Sequence, residues 1–179
     1  MSKNTKTAAA KPVSKAAAKP ATKASTKAVT KAAPKMREMP VNPPSRPSKE
    51  LHVFPNPAPQ RDYVIQFQVP EFTCFCPLTG QPDFAHFTID MIADEYCVEL
   101  KSLKMYMWSF RNEGAFHEKV TNDILSKIVA TTNPRYARIT ARWYVRGGIY
   151  TNVIAEHRKR GWKGDAVVPA PHLPHATGL

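Results

Sequence analysis

Cys76 and Asp83 stand seven residues apart in the segment Phe75-Cys76-Pro77-Leu78-Thr79-Gly80-Gln81-Pro82-Asp83. With two prolines and a glycine between them, the pair belongs on a loop, where a rigid scaffold commonly presents reactive groups. A thiolate there is a nucleophile and a carboxylate can move a proton. The same segment also reads as a Pro/Gly turn that happens to hold a Cys and an Asp. Lys101 and Lys104 are three apart, hence on one helix face, and two ammonium groups near a helix start suit phosphates. A solvated helix face is the plainer reading. His117 and Glu118 open a second helical stretch. At a first turn both side chains reach into a cleft, and a carboxylate accepts two parallel hydrogen bonds from a planar N–H/NH₂ edge such as that of guanine. Glu118 also serves simply to complement the helix dipole. Arg146 stands beside the flexible pair Gly147-Gly148.

These groups need elements to hold them. Tyr63, Ile65, Phe67 and Val69 alternate with other residues, a strand that Pro70 is expected to end, with a loop over residues 71–83. Ala85, Phe87, Ile89 and Met91 alternate with His86, Thr88 and Asp90, a second strand with one wet face, and residues 96–99 form a short third. From Ser102 the period becomes helical, with Leu103, Tyr106, Met107 and Phe110. After Gly114 a second helix places Phe116, Val120, Ile124 and Ile128 on one face and stops at Asn133-Pro134. Ala137, Ile139, Ala141, Trp143 and Val145 alternate again, Gly147-Gly148 turns, and residues 149–154 return as a last strand. Helices grouped between hairpins predict an α+β fold with an antiparallel sheet.

The charge is unevenly spread. Residues 1–50 hold 12 Lys and Arg against 2 Asp and Glu, a net of +10, whereas residues 51–179 hold 14 against 12, a net of +2. The basic character therefore belongs to the N-terminal segment and says little about what the body binds. Lysine recurs every fourth residue from Lys11 to Lys35 amid Ala, Thr, Ser and Pro, so residues 1–36 are expected to be a disordered Lys/Ala-rich tail, and residues 37–60 a Pro-rich linker. The ordered domain is expected over residues 61–160, with a loose C-terminal segment over 161–179. The three cysteines Cys74, Cys76 and Cys97 make an odd number, and no apolar stretch suits a signal sequence or a membrane span. A cytoplasmic protein with reduced thiols is expected.

Taken together, four blocks resemble one family. Glu99-Leu100-Lys101-Ser102-Leu103-Lys104-Met105-Tyr106 reads as Glu-x-Lys-Ser/Ala-hydrophobic-Lys-x-aromatic. With it stand Cys76-Pro77-Leu78-Thr79-Gly80-Gln81-Pro82-Asp83, then Ser109-Phe110-Arg111-Asn112, then Phe116-His117-Glu118. The sequence is similar to the QueF nitrile reductases of the single-module type, from about Tyr63 to Ile149. Leu100 takes a place often held by Ser, and the Lys/Ala tail and the C-terminal stretch lie outside the resemblance.

The resemblance implies the tunnelling fold, an antiparallel sheet with two helices on one face, closing into rings of subunits stacked as pentamers with active sites at subunit interfaces. It implies NADPH-dependent reduction of 7-cyano-7-deazaguanine to 7-aminomethyl-7-deazaguanine, in the biosynthesis of queuosine in tRNA. Cys76 looks like the nucleophile that adds to the nitrile as a thioimide, Asp83 like the acid that protonates the nitrile nitrogen, and His117 like a partner in proton transfer. Glu118 and Glu99 would hold the deazaguanine, helped by His117 and by backbone groups of Val98 and Leu100. Lys101, Lys104 and Arg146 would hold the NADPH phosphates; no Gly-x-Gly-x-x-Gly segment offers a Rossmann site instead.

Two other functions compete. A zinc-dependent enzyme of the same fold, such as a GTP cyclohydrolase, would draw on Cys74, Cys76, Cys97 and His117 as a Cys₃His site. The spacing Cys74-x-Cys76 is tight for zinc, and the Glu99–Tyr106 block belongs to the reductases, so no metal is expected. A nucleic-acid-binding protein built on the basic tail is the second; the near-neutral body opposes it as the main function, although non-specific contact with RNA or another polyanion through the tail is compatible with an enzyme.

Overall fold

The alternating apolar residues 65–69, 85–91 and 137–143 form the centre of one antiparallel sheet. The structure, a computed structural model, describes residues 46–166. Its elements in chain order are β1 (Val53–Pro55), β2 (Val64–Phe75), β3 (Pro82–Ile92), β4 (Tyr96–Val98), α1 (Leu100–Trp108), α2 (His117–Thr132), β5 (Tyr136–Trp143) and β6 (Asn152–Arg158). The main sheet runs β2-β3-β5-β6, every neighbour antiparallel, and β1 pairs with β4 in a separate ribbon. The fold is α+β, with both helices on one face of the sheet.

The registers explain that face. Phe87, Ile89 and Met91 of β3 stand opposite Ala141, Ile139 and Ala137 of β5, and all are buried. Against them pack Leu103, Tyr106, Met107 and Phe110 from α1 and its exit, and Val120, Ile124, Leu125 and Ile128 from α2. Val120, Ile124 and Ile128 are each at most 1% exposed, so each stabilises the fold by about 1.5–3 kcal/mol. On the opposite face Asp90 accepts from Gln66 and pairs with Arg138 across the sheet.

The second helix ends where the sequence marks its stop, whereas α1 starts at Leu100, ahead of Ser102, and closes at Trp108. Glu99 caps α1, its two carboxylate oxygens accepting from the amides of Lys101 and Ser102 at 2.7 Å each. Asn133 closes α2 in the left-handed conformation at φ 42°, and Pro134 follows.

The strands differ from expectation in three places. β2 runs through Pro70 to Phe75 instead of ending there. Because β2 is at the sheet edge, Pro70 has no ladder hydrogen bond to lose on its open side. The register slips between Val69 and Phe72, a bulge holding one extra residue that puts Phe72 and Cys74 on the same face as Phe67 and Val69. The loop therefore shrinks from 71–83 to the short turn between Phe75 and Pro82. The last strand lies at Asn152–Arg158, not 149–154, because Arg146 to Ile149 forms a closed turn of its own. Finally, the Pro-rich stretch is packed on the body before residue 61: Leu51 and Asn56 are buried, and β1 pairs with β4. The expected tail lies outside the described residues, as does most of the C-terminal segment.

Candidate active site

The turn after β2 is folded back on itself. The Cys76 amide donates to the Gln81 carbonyl and the Gly80 amide to the Cys76 carbonyl, with Gly80 at φ 67° where a side chain would be strained. A second strap holds it: Phe75 exchanges backbone hydrogen bonds with Glu113 and Ala115 on either side of Gly114. A Cβ on Gly114 would stand 3.3 Å from the Pro77 Cα, a tight contact that a larger residue could keep only if the turn gave way by a few tenths of an ångström. This strap carries the chain directly into His117 at the start of α2, beside the turn.

Asp83, the second residue of β3, is 3% exposed and turned to the helix face. Its Oδ2 lies 3.3 Å from His117 Nε2, and its Oδ1 accepts from Arg146 Nη1. The His117 ring is stacked on Trp143, with centroids 3.8 Å apart and planes 4° from parallel. Arg146 also donates to Gln81 Oε1 at 2.8 Å and to Thr79 Oγ1 at 3.5 Å.

The cysteines divide by environment. Cys76, half-buried past the end of β2, has its thiol pulled down to about 7, chiefly by the Thr79 hydroxyl, then by the Leu78 and Thr79 amides, with a smaller contribution from Arg146. Cys74, fully buried on the helix face, is pushed up to about 11 by burial and by the neighbouring Asp83 and Cys76 charges. Two thiols that spacing alone could not separate thus lie in opposite environments, one favouring the thiolate and the other the thiol. Cys97 is buried in β4, 3.7 Å from the Tyr63 hydroxyl. Among the described residues no group of three or more His, Cys, Asp or Glu side chains is gathered as metal ligands would be, and Cys74, Cys76, Cys97 and His117 are not brought into one such group.

Cys76, Asp83, His117 and Arg146 are therefore brought together. The other residues singled out in the sequence lie elsewhere on the chain. Val98, buried in β4, pairs with Val53. Glu99 is bound to its own helix start, which holds its carboxyl below the usual range through the Lys101 and then the Ser102 amide. Leu100 is 66% exposed, and Glu118 is exposed in the first turn of α2. Lys104 lines a groove of about 1060 Å³ between β2 and α1, with Phe67, Leu103, Trp108 and Arg111 among its walls. Lys101 is outside that lining, one turn before Lys104 on α1, and Arg146 is engaged at the Cys76 turn. Thr79 and Gln81 stand inside the Cys76–Asp83 block, but that block gives them no role of their own, and Trp143 lies outside every block. Trp143 reads there only as one more inward strand position, since its partner His117 comes from another element.

A family model described as QueF-like protein matches residues 82–162. The chain is 61% identical over 129 residues to a protein of Alkalilimnicola ehrlichii named NADPH-dependent 7-cyano-7-deazaguanine reductase, covering 72% of this chain and 96% of that one. It is 64% identical over 130 residues to the protein of the same name from Thiobacillus denitrificans, covering 73% and 90%. A crystal structure of the apo archaeosine synthase QueF-Like aligns with a TM-score of 0.49 at 24% identity, over 52% of this chain and 91% of that one. Identity above 60% along nine-tenths or more of a relative is retained by common descent, side chain by side chain, and the chain belongs to the QueF family.

Proposed function

We propose that this protein reduces 7-cyano-7-deazaguanine to 7-aminomethyl-7-deazaguanine with two equivalents of NADPH, through a covalent adduct at Cys76. Its relatives carry that activity in their names, and one observation in this chain carries the mechanism: a half-buried thiol held near pKa 7 beside a buried carboxylate whose second oxygen faces an imidazole.

A nitrile carbon is a weak electrophile. Addition of the Cys76 thiolate forms the C–S bond while one C–N π pair moves to nitrogen, which takes a proton supplied through Asp83 and His117, giving a thioimide. NADPH, when bound, supplies the two hydrides. After the first reduction the C–S bond breaks and Cys76 leaves as thiolate, and the resulting imine is reduced in its turn to the amine. In total the nitrile takes up two hydrides and two protons, which carry four electrons. Enclosing the imine keeps water from hydrolysing it.

Glu118 suits the N–H/NH₂ edge of the deazaguanine, and Glu99 keeps lone pairs beyond the two spent on its helix. Val98 and Leu100 flank Glu99 and offer backbone groups, and His117, facing Asp83, would border the substrate. Lys104, at the wall of the β2/α1 groove, Lys101, one turn away, and Arg146 would hold the NADPH phosphates. No hydrogen bond or ion pair joins Glu99 or Glu118 to the Cys76 turn among the described residues, which favours a site completed by a second subunit. Both β2 and β6 are open sheet edges, and exposed apolar Leu100 and Phe116 sit beside Glu99 and Glu118, which supports ring closure as a homo-oligomer, in the arrangement of stacked pentamers. Free cysteines suit the cytoplasm, and no described helix is long and apolar enough to cross a membrane. Polyanion contact through the basic tail falls outside the described residues.

The test is intact-protein mass spectrometry with the nitrile and no cofactor, followed by NADPH titration. Wild type, Cys74→Ser and Cys97→Ser should gain one substrate mass, and turnover should consume two NADPH per amine. Cys76→Ala should gain none. An adduct persisting in Cys76→Ala overturns the assignment.

A further inference from the structure

We infer that Lys49 is a positioning residue for the proposed reaction: it clamps the connection between α1 and α2 that supports both the Cys76 turn and His117. The inference rests on the proposed role of Cys76 as nucleophile.

The sequence reads residues 37–60 as a linker, yet the stretch around Lys49 is fastened to α1 on either side. The Ser48 amide donates to the Met105 carbonyl at 3.2 Å. The His52 amide donates to Ser102 Oγ at 2.9 Å, and Leu51 before it is buried. The Lys49 side chain therefore leaves a fixed base and reaches past the end of α1. Its Nζ stands 3.3 Å from the centre of the Phe110 ring and 2.8 Å from Glu113 Oε2. One ammonium thus grips both ends of the turn that closes with the Glu113 amide donating to the Phe110 carbonyl. Phe110 is 5% exposed and packed by the rings of Phe72 and Tyr106, which gives the ammonium a firm seat.

Glu113 passes this grip to the site through its backbone. Its carbonyl accepts from the Phe75 amide at 2.9 Å, and the Ala115 amide donates to the Phe75 carbonyl at 3.0 Å. Cys76 follows Phe75 directly, and His117 stands two residues after Ala115. A shift of Glu113 therefore displaces the support of the nucleophile and the start of α2 together. No hydrogen bond, ion pair or ring contact joins Lys49 to Cys76, Asp83 or His117 among the described residues, so it acts through this relay alone. Both charges of the pair are about half exposed, so their contribution to global stability is small. The leverage is local, because reacting groups lose rate steeply when their geometry slackens.

The experiment compares full-length wild type with Lys49→Arg, Lys49→Glu and the charge swap Lys49→Glu with Glu113→Lys. Hydrogen exchange at the Phe75 and Ala115 amides is followed by mass spectrometry with neither nitrile nor NADPH present. The rate of nitrile adduct formation, kcat and KM for NADPH are measured in parallel. In Lys49→Glu two carboxylates face each other and the cation over the ring is gone. Exchange at Phe75 and Ala115 should then quicken about three- to tenfold, while the β3 and β5 amides keep wild-type protection. Adduct formation and kcat should fall by a similar factor, with KM for NADPH within about twofold of wild type. Lys49→Arg keeps a cation of similar reach and should stay within about twofold in every measurement. The charge swap should recover most of the loss. Wild-type exchange and adduct formation in Lys49→Glu would overturn the inference. A charge swap as slow as Lys49→Glu would overturn it too, since the loss would then not come from the pairing. The exchange arm uses no substrate, so failure of the nitrile assignment would show separately as a wild type that forms no adduct.

Discussion

The imidazole of His117 lies flat on the indole of Trp143, 3.8 Å from centroid to centroid, while its Nε2 faces Asp83 at 3.3 Å. The stack fixes the plane of the ring and the carboxylate fixes its rotation, which presets the geometry that the proposed proton transfer between His117 and Asp83 needs. Trp143 is in turn held edge-on by Phe72 and Phe87, each 5.8 Å away.

Trp143→Ala is expected to cost about 3–5 kcal/mol in chemical denaturation, because the ring is 2% exposed and packed by aromatic neighbours. Trp143→Phe should keep the fold, since the indole Nε1 has no hydrogen-bond partner to lose among the described residues. Turnover in the Phe variant should fall more than its stability does, through a less firmly stacked His117. Equal kcat in wild type and Trp143→Phe would leave Trp143 with a packing role alone.

The pH dependence of nucleophile reactivity should follow Cys76. Below about 7 its sulfur is protonated and inert; above, it is thiolate. The rate of adduct formation should therefore rise with pH and level off above about 7. Cys74, pushed up to about 11, should stay unmodified across the same range. Time-resolved peptide mapping after alkylation reads both, and preferential labelling of Cys74 would contradict the assignment.

Glu118 and Glu99 should respond differently to removal of charge. Glu118→Gln puts an NH₂ against the substrate's donor edge, with a loss of about 1–3 kcal/mol or more in nitrile affinity and little change in NADPH affinity. Glu99→Gln should weaken the fold as well, because both its oxygens hold the start of α1. Its carboxyl is lowered in the folded state, so its stabilising contribution is complete above the ordinary value of 4.5 and fades as pH falls through the lower folded value. The stability difference between wild type and Glu99→Gln should accordingly shrink in acid, as thermal melts at several pH values would show.

Truncation should have a sharp limit. Removing residues 1–45 takes away most of the net positive charge of the N-terminal segment and should leave turnover intact while reducing non-specific RNA retention. Removing residues 1–60 also deletes β1, the buried Leu51, and Asn56, which bonds to Asp94 and Tyr63 at 2.7 Å each. Loss of Leu51 alone is worth about 2–5 kcal/mol, so this longer deletion should melt markedly earlier.

By itself the sequence determined the elements whose pattern is local. The change from period two to period 3.6 at Ser102, the stop at Asn133-Pro134 and the inward faces of β3 and β5 were all legible, because burial of one face writes itself along a single segment. The blocks around Cys76, Glu99 and His117 were legible only together, as residue types at short fixed spacings that resemble one family. What only the tertiary structure decided depends on partners distant in the chain. Pro70 sits inside β2 because that strand became an edge, and Val53–Pro55 is a strand only because Tyr96–Val98 lies alongside it. Cys74 and Cys76 part company because a bulge and a strand end set one against the core and the other against Thr79. Arg146 meets Asp83, 63 residues away, rather than Lys101 and Lys104, because the sheet register brings the end of β5 to the start of β3. No spacing along the chain encodes that meeting; it comes from strand pairing, which closes the long loops that periodicity cannot see.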